Sequence, residues 1–334
     1  MRTAILSILS IILLECCTSD GSYLETEVPS VENNDEYINK CIEHNLWTYE
    51  QMKKKYFWYD EMPDSTSLDF TQEPSSFFEF LKSKQDRFSW CEANLNYKGS
   101  TRSLNLSETV SLDTVYTLYG RNFGYVVYEQ FNESSDVVQI MIKMRQQSID
   151  DFILDLRNNP GGYVSTSNYL ASFLVPKQYG GRLFQQQRYN DKQVKERKKI
   201  YGGEGIDSIY LNNNKIVQSY NLNLNRLFVL TSENSASSSE ALIIGLRPYM
   251  RVITIGKTTC GKDVGSYTIA NNHYKYQLQP ITFRYYNALG DSTPVTGIIP
   301  DIPIFENSHF QKGDIRDPYL QAVFNYILKE YETD

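Results

Sequence analysis

The chain has 334 residues, of which 41% are hydrophobic and 22% charged, and its net charge is -7 at neutral pH. This composition is typical of a soluble globular protein, and the length is enough to bury one large core or two smaller ones. The acidic balance argues against nucleic acid as a partner, because the two basic runs, at 53–55 and 192–199, are short and typical of solvated surfaces.

The N-terminal segment predicts an export signal. A positively charged start precedes an apolar stretch of 11 residues, Ala4–Leu14, which is too short for a membrane-spanning helix of about 20 residues. The sequence Leu14-Glu15-Cys16-Cys17 then resembles a bacterial lipobox. Cys17 fits the lipidated position better than Cys16, because the acidic Glu15 directly precedes Cys16. We therefore expect an exported protein that is lipid-anchored at Cys17 in the bacterial cell envelope.

Three further cysteines, Cys41, Cys91 and Cys260, follow the signal. An odd number allows at most one internal disulfide and leaves one thiol over. Cys41 could pair with Cys91 in an oxidising compartment, or both could be buried free thiols. Cys260 has no histidine beside it in sequence, so we do not expect it to be a nucleophile.

The first third of the chain divides by composition. Residues 1–17 are the signal and lipobox, and the polar segment 18–35 predicts a flexible tether. Residues 36–90 predict an N-terminal helical arm, with one helix on a stripe of apolar positions and a second whose Ser76 and Glu79 have the spacing of a capping box. Residues 91–115 are polar and predict a short connector with one possible strand.

From residue 116 onward, short apolar runs alternate with helical patterns. The predicted strands are 123–128, 152–156, 227–231 and 252–255, and the predicted helices are 137–144, 165–174 and 240–249. A polar excursion with some helix is expected at 185–214, hairpin-like strands at 266–286 and a terminal helix at 317–331. Such alternation is typical of an α/β fold with a largely parallel sheet flanked by helices.

Ser237 is the first candidate for chemistry. A predicted strand ends at Thr231, and a helix begins near Ser237, so its hydroxyl would lie where free N–H groups and the positive end of the helix dipole collect. That location suits a nucleophile. The alternative is purely structural, because Ser237 and Glu240 also have the spacing of a capping box.

Lys262 is the second candidate. It lies in a glycine-bounded turn after a predicted buried strand. A lysine acts as a general base only when burial lowers its pKa toward neutrality. The alternative is an ordinary surface lysine.

The turn Asp155-Leu-Arg-Asn-Asn-Pro-Gly-Gly162 is the third candidate. Its paired glycines leave backbone N–H groups unobstructed, as an oxyanion hole or anion nest requires. A tight strand-to-helix turn is the structural alternative. A phosphate loop is disfavoured because neither phosphate-binding glycine motif occurs.

Four segments together resemble the S41 peptidase family, the C-terminal processing proteases, in the form found in exported lipoproteins of Bacteroides-like bacteria. They are Asp155-Leu-Arg-Asn-Asn-Pro-Gly-Gly162, Ser235-Ala-Ser-Ser-Ser-Glu240, Gly256-Lys-Thr-Thr-Cys-Gly-Lys262 and Gly297-Ile-Ile-Pro-Asp301. The resemblance covers about 35–331. It implies a fold similar to the ClpP and crotonase core and a catalytic domain at 116–334.

The resemblance also implies roles for individual residues. Ser237 falls on the family's nucleophile and Lys262 on its base, and the oxyanion would accept hydrogen bonds from backbone N–H groups of Gly161 or Gly162 and of Ser238. The implied activity is that of a serine endopeptidase that cleaves polypeptides, unfolded or at a protein C-terminus, through a covalent acyl-enzyme.

The sequence departs from the family in two places. Some members have an aspartate where this chain has Pro248, so no third acidic residue is expected there. The stretch from Cys91 to Thr117 is also too short for the PDZ domain that members commonly carry. These departures motivate an alternative function, a non-catalytic peptide-binding or ligand-binding lipoprotein on the same scaffold.

No cofactor is expected. The three histidines, His44, His273 and His309, are far apart in sequence, and no metal-binding spacing of histidine or cysteine occurs, so we predict no metal site.

Overall fold

The computed structural model describes residues 34–92, 109–132, 135–271, 276–305 and 308–331. The predicted signal, Cys16, Cys17 and most of the predicted tether lie outside these ranges, as does the central part of the predicted connector. Within the ranges, no helix combines the length and the apolar character that crossing a membrane requires. Cys41, Cys91 and Cys260 are free thiols, so Cys41 and Cys91 are not paired in this structure.

Eight α-helices and two 3₁₀ turns, Ser65–Ser67 and Lys177–Tyr179, are present in the described residues. The helices are α1 Asn34–Lys55, α2 Pro74–Leu81, α3 Ser135–Gln146, α4 Val164–Leu174, α5 Asp191–Tyr201, α6 Lys215–Tyr220, α7 Ser238–Leu246 and α8 Pro318–Tyr331.

Thirteen strands accompany them in the same ranges. The strands are β1 Trp90–Glu92, β2 Val110–Leu118, β3 Arg121–Tyr128, β4 Asp151–Asp155, β5 Leu183–Tyr189, β6 Asp207–Tyr210, β7 Arg226–Thr231, β8 Arg251–Gly256, β9 Val264–Ser266, β10 Ile269–Asn271, β11 Tyr276–Gln279, β12 Ile281–Tyr286 and β13 Ile302–Pro303.

The centre of the molecule is a six-stranded sheet in the order β13-β8-β7-β4-β3-β2. All neighbours are parallel except β2 and β3, which form an antiparallel pair. Every residue of β4 is buried, because a parallel sheet is covered on both faces. The predicted α/β fold with a largely parallel sheet flanked by helices is confirmed.

Two hydrophobic clusters cover the two faces of this sheet. One contains side chains of α3, α4 and α7, and all nine residues of α7 are buried. The other contains side chains of α8, including Leu320, Val323 and Ile327, packed on β3, β4, β7 and β8. The carboxyl ends of β4, β7 and β8 therefore lie side by side at one edge, where loops carry the candidate residues.

A second sheet, entirely antiparallel, has the order β6-β5-β12-β9. The predicted polar excursion with some helix at 185–214 contains α5, but it also contains most of β5 and all of β6, which the sequence did not predict. Gln185 and Gln187 are buried although they are polar, so this strand lacks the apolar alternation by which strands are recognised.

The N-terminal arm packs against this second sheet and against a three-stranded antiparallel sheet, β1-β11-β10. Met52 and Tyr56 of the arm share a hydrophobic cluster with Val264 and Ile281. The helix α2 begins one turn earlier than predicted: the Glu73 carboxylate accepts a hydrogen bond from Ser76 N at 3.0 Å, and Pro74 is the first helical residue. The capping-box prediction at Ser76 was therefore wrong, because proline at the first position fixes the start upstream.

Candidate active site

Ser237 lies at a sharp bend between β7 and α7. Its backbone has φ 57° and ψ −115°, a conformation that is rare for residues other than glycine. Such backbone strain persists only where surrounding contacts fix it, and it clusters at functional sites. The side chain is partly exposed, whereas Ser238 and Ser239 on the following helical turn are buried.

The buried carboxylate of Glu240 fixes this bend. One of its oxygens accepts hydrogen bonds from Ser237 N at 3.0 Å and Lys262 N at 2.9 Å. The other accepts hydrogen bonds from Gly261 N at 2.7 Å and Thr259 Oγ1 at 2.5 Å. Burial raises the pKa of Glu240, and these hydrogen bonds act in the opposite direction. One side chain therefore joins the Ser237 bend to the loop that carries Lys262.

Lys262 follows β8 in a loop that is held on both sides of its peptide. Its carbonyl accepts a hydrogen bond from the Tyr285 hydroxyl at 2.8 Å, opposite the contact of its N–H with Glu240. The side chain is partly buried, with Nζ 5.1 Å from the ring centroid of Phe88. Burial lowers the pKa of the Lys262 amine below its ordinary value, as a general base requires.

Ser237 and Lys262 line the same cavity, but their side chains are not hydrogen-bonded to each other. Both belong to the described residues, and no hydrogen bond between Ser237 Oγ and Lys262 Nζ is found there. In peptidases without a bound substrate, catalytic hydrogen bonds are often long and shorten in the complex.

The turn after β4 is held by a buried ion-pair network. The Arg157 guanidinium lies 2.6 Å from an Asp155 oxygen and 2.8 Å from an oxygen of Asp317, which precedes α8. The Asn159 side chain donates to Tyr128 O at 2.7 Å. The polar residues of this segment are thus used to shape the turn.

The turn brings Gly161 and Gly162 against Ser237. A Cβ placed on Gly161 would lie 2.7 Å from Ser237 Cβ, and one on Gly162 would lie 2.2 Å from the carbonyl oxygen of Phe131. Both glycines have positive φ, 103° and 132°. Only glycine fits at these positions, because of the backbone conformation and the close approach together.

The structure distinguishes Gly161 from Gly162, which the sequence leaves as alternative donors to the oxyanion. The N–H of Gly161 donates to the Asn159 side-chain oxygen at 2.8 Å, so it is already used. Among the described residues, neither Gly162 N nor Ser238 N donates to a protein acceptor. The Ser238 hydroxyl donates to Gly162 O at 2.7 Å and so joins these two residues. Gly162 and Ser238 therefore retain the N–H groups that could bind an oxyanion.

The shared cavity has a volume of about 600 Å³. It is lined by Gly162, Ser237 and Lys262, together with aromatic rings and uncharged amides. The rings belong to Phe131, Tyr163, Tyr267 and Phe283, and the amides to Gln130, Asn132, Gln187 and Gln279. Among the described residues that line the cavity, Lys262 is the only one with a charged side chain. A cavity of this size holds a side chain with part of a peptide backbone.

The described part of the chain contains no group of three or more His, Cys, Asp and Glu residues placed to hold a metal ion. His44 is buried in the arm beside Tyr276, and His309 lies beside β2, and neither of them lines the cavity. His273 lies outside the described residues.

Sequence reasoning missed two parts of the site. Glu240 is recognisable in sequence only as the last residue of a capping box, because its bonds to the Lys262 loop span 19 to 22 positions. Phe88 gives no local signal at all, since it comes from the arm and reaches Lys262 only through tertiary packing.

Two family models match the chain. Peptidase family S41 matches residues 122–304, and the Peptidase S41 N-terminal domain matches residues 43–90. The first covers more than half of the chain and includes the candidate serine, lysine and glycine turn.

Curated proteins with similar sequences include a "Probable CtpA-like serine protease" of Staphylococcus epidermidis, 26% identical over 159 residues, and the carboxy-terminal processing protease CtpB of Bacillus subtilis, 23% identical over 232 residues. The matches cover 47% and 67% of this chain. They span only 28% and 44% of the two relatives, so this chain matches less than half the length of each.

A crystal structure from Bacteroides fragilis, provisionally classed as an S41 protease, shares the fold. It superimposes with a TM-score of 0.74 at 20% identity and covers 85% of this chain and 97% of its own. On the match of the family model to more than half of its length, the chain belongs to peptidase family S41.

Proposed function

We propose that this protein is a serine endopeptidase that hydrolyses peptide bonds through a Ser237 and Lys262 dyad, with residues 116–334 as the catalytic domain. The observation that supports this best is the shared cavity, which is lined by the strained Ser237, the partly buried Lys262 and Gly162 with its unused N–H group. The family assignment and the relatives' names as processing proteases support the same reaction class.

In the proposed reaction, neutral Lys262 takes the proton from Ser237 Oγ as that oxygen attacks the peptide carbonyl carbon. The resulting oxyanion accepts hydrogen bonds from Gly162 N and Ser238 N. Protonated Lys262 then gives its proton to the leaving amine, and the peptide bond breaks to leave an acyl-enzyme. Water, deprotonated by Lys262, attacks the ester, and the acid product leaves with Ser237 restored.

This mechanism fixes the direction of the pH dependence. Only the neutral amine can act as the base, and burial lowers the pKa of Lys262. We therefore expect kcat/KM to rise as the pH increases through the pKa of Lys262 and then to reach a plateau.

The direct test is incubation of the wild-type protein with casein, an unfolded polypeptide, followed by mass spectrometry of the fragments. Ser237→Ala and Lys262→Ala should each abolish cleavage and leave the fold intact. Lys257→Ala is a matched control, since Lys257 lies in the same loop segment and its side chain contacts exposed Glu233 at 3.4 Å. Full activity in either dyad variant contradicts the mechanism.

One observation favours the alternative, a non-catalytic peptide-binding protein on the same scaffold. Ser237 Oγ and Lys262 Nζ are not hydrogen-bonded in this structure, whereas the proposed proton transfer requires that contact. If wild-type protein retains an immobilised casein peptide and leaves it uncut at every pH between 6 and 10, the binding function is correct and the peptidase proposal is wrong.

The cavity also indicates a substrate class. Its described lining combines aromatic rings with amides, and its only charged side chain is the proposed base. We propose that it accepts an apolar, uncharged side chain of an unfolded polypeptide or of a protein C-terminus, because burying a charge there without a partner is costly. That substrates are selected without a PDZ domain stays a prediction from the sequence.

We further propose an exported, lipid-anchored location, supported by the sequence of the first 17 residues alone. Expressed in a bacterial host, the full chain should incorporate labelled fatty acid and partition into detergent. Cys17→Ser should lose both properties and Cys16→Ser should keep them. Loss of label only in Cys16→Ser would move the anchor by one residue.

A further inference from the structure

Residues 83–89, which follow α2, lie over the loop that carries Lys262. Arg87 makes the contact: its guanidinium donates to Gly261 O at 2.7 Å and to Val295 O at 3.1 Å. Gly261 directly precedes Lys262. The arm therefore touches the chain at the residue next to the proposed base.

The same segment is rigid through its own hydrogen bonds. The Asp86 carboxylate accepts from Phe88 N and Ser89 N, both at 2.9 Å, and from the Tyr56 hydroxyl at 2.7 Å. The Ser89 hydroxyl accepts from Ile281 N at 2.8 Å, which ties the segment to β12. These bonds hold the backbone of Phe88 in place on both sides.

Phe88 covers the side chain of Lys262. Its ring centroid lies 5.1 Å from Lys262 Nζ and 4.7 Å from the guanidinium carbon of Arg87. Phe88 is half-buried and packs against the arm's hydrophobic cluster, so its ring takes the place of water beside the amine.

We propose that Phe88 is a positioning residue that keeps the Lys262 amine out of water, so that the N-terminal arm completes the active site. The proposal rests on the proposed function insofar as Lys262 is the base. It gives the arm a role in the reaction, beyond packing against the second sheet.

Two effects of the ring oppose each other. Its face attracts an ammonium group, which favours the protonated amine by about half a pK unit at an exposed site and by about 1.5 units at a desolvated one. Its bulk excludes water, and burial lowers the pKa of a lysine by up to roughly 3–5 units. We expect exclusion of water to be the larger effect of this half-buried ring, and burial is the leading cause that lowers the pKa of Lys262.

Other groups that face the amine favour its charged form. They are Cys260 in the same loop, Asp86 in the arm and Glu240 in α7. All three remain in the variants described next, so a difference between variants reports the ring alone.

The experiment follows the Lys262 amine directly, by NMR titration of the lysine Cε carbons in ¹³C-lysine-labelled full-length protein, with the signal assigned through Lys262→Arg. Phe88→Ala should raise the pKa of Lys262 by about one unit, because water reaches the amine. Phe88→Leu keeps an apolar cover and should leave the pKa in place or lower it. Phe88→Thr provides the same test if the alanine variant does not fold, because its short polar side chain also admits water.

Phe80→Ala is the matched control, because Phe80 lies in α2 of the same arm and is 61% exposed. A pKa that rises in Phe88→Ala, and not in Phe88→Leu or Phe80→Ala, supports the proposal. An unchanged or lowered pKa in Phe88→Ala overturns it, as does an equal rise in either of the other two variants.

The pH profile of casein cleavage gives the second measurement. The rising limb of kcat/KM should move to higher pH in Phe88→Ala by the same shift as the NMR titration. Absence of any cleavage by wild-type protein is a failure of the proposed function, whereas the titration still decides whether Phe88 shields the amine.

Discussion

Replacing Glu240 by glutamine tests how the serine and lysine segments are held together. The carboxylate accepts four hydrogen bonds, three of them from backbone N–H groups of Ser237, Gly261 and Lys262. A glutamine in its best orientation keeps the Ser237 and Lys262 bonds on its oxygen and turns its amide nitrogen toward Thr259 and Gly261. The Gly261 N–H then has no acceptor.

A buried N–H without a partner costs about 1–3 kcal/mol, and hydrogen bonds to a neutral acceptor are weaker than those to a carboxylate. The glutamine side chain is uncharged, so its burial costs less than burial of the carboxylate, which offsets part of the lost stability. We therefore expect Glu240→Gln to lower the free energy of unfolding by about 2–4 kcal/mol. A displaced serine or lysine should also reduce kcat by roughly tenfold to a hundredfold in protein that is still folded.

Urea unfolding and casein cleavage measure the two effects separately. Glu233→Gln is the control, because Glu233 lies on the same loop with its side chain 62% exposed and contacts only Lys257 among the ion pairs of the described residues. It should change unfolding by less than about 0.5 kcal/mol. A Glu240→Gln protein with wild-type stability and wild-type kcat refutes the reasoning.

Three further outcomes are expected. Burial lowers the pKa of His44 to about 4. Between pH 6.5 and 4 the unfolded state therefore binds a proton that the folded state does not, and about 3 kcal/mol of stability should be lost as the pH falls. Urea unfolding at several pH values should show this loss in the wild type and in His309→Gln but not in His44→Gln. Gly162→Ala should abolish cleavage and destabilise far more than Gly181→Ala, which also has positive φ but meets nothing within 4 Å; equal unfolding free energies would show that the Phe131 contact does not matter. Peptide libraries should be cleaved beside apolar residues in preference to acidic or basic ones, and a preference for charge would mean that the cavity is not the substrate site.

The sequence predicted the parallel core well because β3, β4, β7 and β8 are continuous apolar runs, separated by helical patterns and glycine turns. Such runs depend on local composition. The strand β5 was missed because two of its four buried positions are glutamines, and what makes them part of a sheet is pairing with β12, about 100 positions away.

The candidate site was predictable only where one segment carries its own chemistry. Ser237, Lys262 and the glycine turn could be singled out from sequence, although their roles stay predictions. The hydrogen bond from Gly161 N to the Asn159 side chain could not be predicted, since it depends on how one side chain folds back on its own turn. The Glu240 and Phe88 contacts need distant segments to be brought together, which no local pattern encodes.

The ion pair between Arg157 and Asp317 has a consequence for the order in which the molecule folds. Arg157 belongs to the turn beside Ser237, whereas Asp317 lies 160 positions later and accepts from Tyr319 N at the start of α8. During folding, Arg157 can pair with Asp155 before it can pair with Asp317, which requires residues 317–331 to dock. A folding chain should therefore hold its glycine turn, and with it the candidate active site, unfinished until α8 docks.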